Sequence, residues 1–370
     1  MHTPAWRRLT GLTCLMIGAA LLAAACSSGS AASAPTTTSE PTPVASATAG
    51  ASAAEPSTEP VGGSITVYNA QHESLTQAWV DEFTKQTGVQ VTLRNGDDTE
   101  LGNLLVAEGA ASPADVFLTE NSPAMALVEK EGLFAPVDQA TLDQVPAAYR
   151  PSSGAWTGIA ARSTVFAYNP TLITEDQLPA SLLDLQQPEW KGRWAASPSG
   201  ADFQAIVSAL LAMEGQPATE AWLAGMKENF TAYQGNRTVM GAVNSGEIPA
   251  GVIYHYYWFG DQANTGENSQ NVTMHYFKNE DPGAFVSVSG GGVLASSQNA
   301  AAAQAFLKFI TGVDGQTILQ TGDSFEYAIA SDVAANPALV PLAELEAPVI
   351  DPSTLDSTVV TDLMTKAGIL

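Results

Sequence analysis

From Ile65 onward the chain alternates short β-branched runs with amphipathic ones, and this alternation limits its fold more than any other feature. Ile65-Thr66-Val67-Tyr68-Asn69 reads as a strand, followed by an amphipathic helix over Glu73–Thr87 with Gly88 at its C-terminal cap. Val89–Leu93 alternates as a second strand, Thr99–Gly109 is helical, and Asp115–Thr119 is a third strand. Pro123–Glu131 is a helix closed by Gly132. This β-α-β-α-β-α order predicts an α/β fold with a parallel sheet and helices on both faces.

The pattern then changes. Trp156–Asn169 is strand-rich, and Pro170–Trp190 reads as short helices broken by Pro179 and Pro188. A strand over Arg193–Ser197 leads into a helix over Ala201–Met213, and Val252–Tyr254 is the next strand. Further helices are expected near 218–229, 238–245, 300–311, 315–320 and 359–367. Gly290-Gly291-Gly292, flanked by Val286–Ser289 and Val293–Ala295, reads as a flexible turn. No Lys-Ser/Thr follows it, so it is not a phosphate loop.

The N-terminal stretch reads as export and anchoring. Arg7 and Arg8 precede the apolar run Leu12–Ala25, which is shorter than the roughly 20 residues of a spanning helix. Leu21-Leu22-Ala23-Ala24-Ala25-Cys26 resembles a lipoprotein signal in which Cys26 is lipidated, with residues 1–26 as the signal; an ordinary secretory cut near Ala25 is the alternative. Either reading exports the protein, and lipidation places it on the outer face of the cytoplasmic membrane by an anchor rather than a span. Residues 27–63 are mostly Ser, Ala, Thr and Pro, too poor in apolar side chains to fold, and read as a disordered tether.

Cys14 and Cys26 are the only cysteines, so the body has no thiol for a disulfide, a thiolate metal site or a nucleophile. Ser64–Leu370 exceeds the size at which one core usually divides, so two domains are expected. The net charge of −24 disfavours nucleic acid as a partner and suits a cation.

Three candidate ligand groups follow strand ends: His72 after Asn69, Glu120 after Thr119, and Tyr256-Tyr257 after Tyr254. Ligands of open α/β sheets bind beyond the carboxyl ends of strands. Two adjacent phenols converge on one point only where the backbone leaves the sheet, since strand side chains alternate between faces. Oxygen-rich donors suit a hard cation. A phenol with a pKa near 10 loses its proton near neutrality only to a strongly Lewis-acidic ion such as ferric iron. Two phenolates and one carboxylate then balance a 3+ ion, and a neutral imidazole is a fourth donor. Ser199, Gly200 and Ala201 open one helix and Asn236 precedes another; free N–H groups at helix starts bind anions. Arg162 is a candidate charge partner for such an anion.

Several segments together resemble the ferric-iron-binding proteins of ABC importers, within the type II solute-binding superfamily. They are Ile65–His72, Ser112–Glu120, Pro198–Ala201, Asn244–Ile248, Tyr256-Tyr257-Trp258 and Asp281–Ala284. The resemblance implies a type II periplasmic-binding-protein fold, with two α/β lobes joined by two crossover strands around a ligand cleft. Lobe one would be 64–162 plus 286–335 and lobe two 163–285 plus 336–370. It implies Fe3+ held by His72, Glu120, Tyr256 and Tyr257, with a synergistic anion (phosphate, carbonate or citrate) at Ser199, Gly200, Ala201, Asn236 and Arg162. It also implies a monomeric, non-enzymatic carrier that closes by hinge motion on iron and delivers it to a membrane permease. Two positions depart from the family pattern: Tyr254-His255 stand where Asn-Asn is frequent, and Asn121 where Gln is. Tyr254 or His255 is therefore a candidate substitute for an anion contact. The alternatives are a binding protein for thiamine, a polyamine or an oxyanion, an exported metal-dependent enzyme, and an adhesive or structural lipoprotein. No G-x-S-x-G or H-E-x-x-H occurs.

Overall fold

A computed structural model describes residues 62–370; the readings of residues 1–26 and of 27–61 lie outside the described residues. Strand β1 (Ser64–Asn69) leads into helix α1 (Glu73–Thr87), whose Leu75, Trp79, Val80 and Phe83 recur at helical spacing and are buried. Gly88 ends α1 in the left-handed conformation at φ 78°, which glycine adopts without steric cost. There follow β2 (Gln90–Asn95), α2 (Asp98–Glu108), β3 (Val116–Leu118), α3 (Ser122–Lys130) and the short α4 (Gln139–Leu142). Then come β4 (Thr157–Tyr168), β5 (Trp194–Ala196), α5 (Ala201–Glu214), α6 (Gln216–Asn229), β6 (Phe230–Ala232) and α7 (Asn236–Ser245). The remainder is β7 (Ala250–Tyr254), α8 (Tyr256–Asn264), β8 (Thr273–His275), β9 (Val286–Val293), α9 (Ala300–Thr311), α10 (Val313–Thr321) and α11 (Ser357–Lys366).

The strands lie in the order β2-β1-β3-β9-β4-β7-β5-β6, with β8 also paired to β4. β1 is parallel to β2 and β3, and β5 is parallel to β6 and β7. Between these two parallel trios stand β9 and β4, which are antiparallel to each other and to the strands they adjoin. The parallel sheet expected from sequence is thus divided by an antiparallel centre. The reason is the length of β4: its twelve buried residues pair with β9 up to Ser163 and with β7 from Thr164. A strand-rich sequence carries no direction, so this could not be read from the pattern.

The triple glycine is a second correction. Gly290, Gly291 and Gly292 are not a turn; they lie buried inside β9. A Cβ at Gly290 would sit 2.3 Å from Met125 Cγ, and one at Gly292 would sit 2.6 Å from Phe134 Cε1. The glycines let neighbouring side chains press directly on the strand.

Separate apolar clusters serve the two trios. Around β1 and β3, Trp79, Phe83, Ile159, Phe306 and Leu307 pack together, and Trp79 Nε1 donates to Gly315 O at 2.7 Å. Around β7 and β5, Trp194, Phe203, Trp222 and Tyr254 pack together and are joined by Val360 and Met364 of α11.

Candidate metal centre

Each of the four sequence-identified donors is set by local structure. Asn69, at the end of β1, clamps the following loop: its Nδ2 donates to Gln71 O, and its Oδ1 accepts from Gln71 N and the Thr76 hydroxyl. His72 then caps α1, with its own N–H donated to Gln71 Oε1 at 2.7 Å. Glu120 leaves β3 with its N–H donated to Asp98 Oδ1 at 2.8 Å. After β7, the chain turns into a helix at Tyr256, so it departs from the sheet where two converging phenols require it. The rings of Tyr256 and Tyr257 lie 4.2 Å apart between centroids.

The structure brings these four side chains together. His72 Nε2 lies 3.1 Å from Glu120 Oε1, and the Tyr256 hydroxyl lies 3.5 Å from Glu120 Oε2. The His72 ring meets Tyr256 edge-on at 4.9 Å. Tyr256 and Tyr257 both donate to Asp202 Oδ2, at 3.3 and 2.9 Å. Among the described residues, His, Cys, Asp and Glu alone form no cluster of three or more able to hold a metal. A metal here therefore needs the phenol oxygens. A cavity of about 790 Å³ opens onto His72, Glu120 and Tyr256, and Glu73, Asp323 and Arg237 also line it.

The residues read as an anion site are arranged differently from one another. Arg162 is fully buried at the point where β4 changes partner. It donates to Glu120 Oε2 at 3.0 Å, to Ser289 Oγ at 2.7 Å and to Glu326 Oε1. Its charge is already shared between two carboxylates. Ser199 is exposed, Gly200 caps α5 and Ala201 begins it. Asn236, the first residue of α7, donates to Asp202 Oδ2 at 2.8 Å and to the Tyr257 hydroxyl at 3.3 Å. The helix start expected to hold an anion thus carries a carboxylate of its own, Asp202, in its first turn. Asn121 steadies that carboxylate, donating to Asp202 Oδ1 at 2.9 Å and to Asp98 Oδ2 at 3.1 Å.

Of the two residues preceding the tyrosine pair, Tyr254 belongs to this network, donating to Asn121 Oδ1 and Asp202 O. His255 faces elsewhere. It stacks on Tyr327 at 4.7 Å, and its Nδ1 accepts from Ser163 N. Burial pushes its pKa down to about 3, so it is a neutral core histidine.

The electrostatics are strongly uneven. Burial would raise the Glu120 carboxyl, but Arg162 and His72 outweigh it and hold Glu120 below the usual carboxylate range. Burial raises Asp202 and lifts Asp98 well above that range, and the nearby Glu120 adds to both shifts. Tyr256 and Tyr257 are pushed well up by burial and by the carboxylates of Asp202 and Glu120. The phenols are therefore protonated at neutral pH unless a cation displaces their protons.

Asp202, Glu326, Asp98 and Asn121 are site residues that sequence reasoning missed as members. Asp202 follows the Ser199-Gly200-Ala201 helix start, and an acidic residue there reads as a routine partner of the helix dipole. Glu326 lies in an irregular segment after α10 with no periodicity to mark it.

The profile of the bacterial extracellular solute-binding protein family matches residues 111–353. A Serratia marcescens Fe(3+)-binding periplasmic protein is 66% identical over 306 residues, covering 83% of this chain and 90% of the relative. The iron-bound structure of HitA from Pseudomonas aeruginosa superposes with a TM-score of 0.78 at 39% identity, over 82% of this chain and 99% of that one. The Trichodesmium FutA structure with iron and citrate gives 0.73 at 26% identity, over 83% and 99%. With these matches, the chain belongs to the bacterial extracellular solute-binding protein family and has the type II periplasmic-binding-protein fold of its ferric-binding members.

Proposed function

We propose that the protein captures ferric iron outside the cytoplasm through His72, Glu120, Tyr256 and Tyr257 and hands it to an ABC permease. The observation that carries this reading is the gathering of one imidazole, one carboxylate held ionised and two adjacent phenols, with His72, Glu120 and Tyr256 open to a single cavity and Tyr257 stacked beside Tyr256. The names of the relatives, a ferric-binding protein and two iron-bound structures, support it. Binding displaces the phenol protons, so affinity falls in acid.

The resemblance implies a synergistic anion beside the iron. The geometry favours a built-in one: Asp202 Oδ2 already receives both phenols and Asn236, where phosphate, carbonate or citrate would otherwise sit. Glu120, Asp202 and two phenolates supply the negative charge, with His72 neutral.

The apolar clusters support the proposed division into lobes. The proposed first lobe, 64–162 plus 286–335, contains the Trp79–Phe306 cluster, and the second contains the Trp194–Trp222 cluster. Leu339 and Leu345 pack with Val145, Ala161 and Tyr327. The same cluster takes in Phe259 and Tyr276 of the proposed second lobe, so it lies across the proposed boundary at 336. Iron bridging the two lobes would favour closure by hinge motion. Export, the Cys26 lipid anchor and a monomeric carrier complete the reading; no helix among the described residues is long and apolar enough to cross a membrane.

The test is a visible spectrum of the protein after addition of ferric iron, with and without phosphate, carbonate or citrate. A phenolate-to-iron charge-transfer band that is lost in Tyr256→Phe and in Tyr257→Phe supports the site. A band that forms without added anion, and comes to need one in Asp202→Asn, supports the built-in carboxylate. Absence of a band in the wild type under all conditions overturns the iron reading and points to an organic solute.

A further inference from the structure

The strap Asp323–Tyr327, which follows α10, touches both proposed lobes and has a backbone irregularity at its centre. Phe325 adopts φ 54°, a left-handed conformation that a bulky residue rarely takes and keeps only where its surroundings hold it. The residues after it are anchored in the proposed first lobe. Glu326 is fully buried and accepts from Arg162 and Gln71. Tyr327 bonds Ala161 through its backbone in both directions, at 2.8 and 3.1 Å.

The aromatic rings of the strap meet the proposed second lobe. Tyr327 stacks on His255 at 4.7 Å, and Phe325 stacks on Phe259 at 5.8 Å with ring planes 19° apart. His255 and Phe259 are four residues apart, about 6 Å along α8, the helix that also carries Tyr256 and Tyr257. The two pairs differ in their distance from the pivot. His255 exchanges two hydrogen bonds with Ser163, where β4 changes partner, so the Tyr327–His255 pair sits beside the crossing strands. Phe259 lies one helical turn farther along, and Phe325 lines the cavity; both rings are half-buried. Hinge motion about the crossing leaves the inner pair nearly in place and draws the outer pair apart.

Resting on the reading of the site as a ferric centre, we propose that Phe259 and Phe325 are positioning residues that form an aromatic clasp governing iron release. Their stacking holds α8, and with it both tyrosines, against the strap that places Glu326 beside His72. The contact lies outside the donor set, so it acts on the lobes and leaves the coordination of the ion unchanged. The open form that meets iron lacks the contact, so the clasp slows departure without slowing capture. The left-handed backbone at Phe325 is held by the same stacking and relaxes when the pair separates.

The experiment loads the full chain with ferric iron, mixes it rapidly with excess EDTA and follows the loss of the charge-transfer band. Phe259→Ala and Phe325→Ala should each release iron about fivefold faster, the scale of one stacked aromatic pair, with the band position and the association rate unchanged. The double variant should be no faster than either single one, because the same contact is lost in all three. Phe325→Leu keeps apolar bulk without the stack and should speed release to a smaller extent; it decides the matter if the alanine variants do not fold. An unchanged release rate in these variants, single effects that add in the double, or a loss of affinity that appears in the association rate overturns the clasp while leaving the iron site standing. A wild type that forms no band overturns both.

Discussion

Glu326 Oε2 lies 3.7 Å from His72 Nδ1, fully buried and without a hydrogen-bond partner of its own. The other oxygen of the same carboxylate accepts from Arg162, Ser289 and Gln71. Glu326 is thus pinned on one side and turned toward the imidazole on the other. At this separation the carboxylate acts on the ring by charge, favouring a proton on Nδ1 and leaving Nε2 free for a metal.

Glu326→Gln should therefore weaken iron binding by about 10–100-fold, the usual cost of losing such a partner. The charge-transfer band should keep its position, because both tyrosines remain. Chelator competition followed at the band measures the affinity. Wild-type affinity in this variant would remove Glu326 from the site.

Arg162→Met tests the buried charge network. Removing the guanidinium leaves Glu326 with no cationic neighbour except a protonated His72, in surroundings with no access to water. Breaking a buried pair from one side costs about 3–5 kcal/mol. Urea unfolding should register a loss of that order, and Arg162→Met combined with Glu326→Met should recover part of it.

Glycine at position 158 is a matter of space. A Cβ there would lie 2.2 Å from the carbonyl oxygen of Tyr149, a backbone atom that cannot rotate away. Gly158→Ala should destabilise by at least about 1–3 kcal/mol. Gly260, within α8, has nothing within 4 Å of the same added atom. Gly260→Ala should be neutral or stabilising by about 0.4–1 kcal/mol. Chemical denaturation of the two variants side by side checks the contrast.

In the iron-free protein, Asp98 and His72 should contribute more stability on mild acidification. Asp98, whose usual value is 3.8, is raised well above it by burial, with Glu120 adding to the shift. His72 is raised as well, because Glu326 and Glu120 outweigh its burial. Groups with a raised folded pKa contribute stability in full below their unfolded pKa and lose it as pH rises through the folded one. Glu120 acts in the opposite sense only below its lowered pKa, under the usual 4.5, but His255, its pKa pushed down to about 3 by burial, loses stability from about pH 6.5 downward. With a chelator present, the melting temperature of the wild type minus that of Asp98→Asn should rise from about pH 8 to about pH 5. A steady fall over that window would contradict it.

What the sequence made legible was whatever local chemistry decides. The bounds of α1 and α9 match expectation because their apolar spacing and end residues lie within the segments themselves. Helix α8 was not foreseen: Tyr256, Tyr257, Trp258 and Phe259 favour strands, and the helix that carries them forms against Asp202 and His72, far away in sequence. β6 and β8, three residues each, are too short to show a period. The proposed donors His72, Glu120, Tyr256 and Tyr257 stood out because they follow strand ends. Asp202 and Glu326 did not, because each acquires its role only from tertiary partners. Arg162 was singled out as an anion partner, and its position between Glu120 and Glu326 depends on β4 crossing between the two strand trios.

That crossing also makes β4 a ruler for the gene. Arg162 faces Ser287 across the ladder, and its neighbours Ala161 and Ser163 project to the other face. Inserting or deleting one residue between Thr157 and Ser163 would turn the guanidinium away from Glu120 and Glu326 and put a small side chain in its place. Changes of length should therefore accumulate in exposed connections, such as residues 331–338, and be excluded from this strand. In an alignment of descendants of this sequence, gaps should cluster around β4 without entering it.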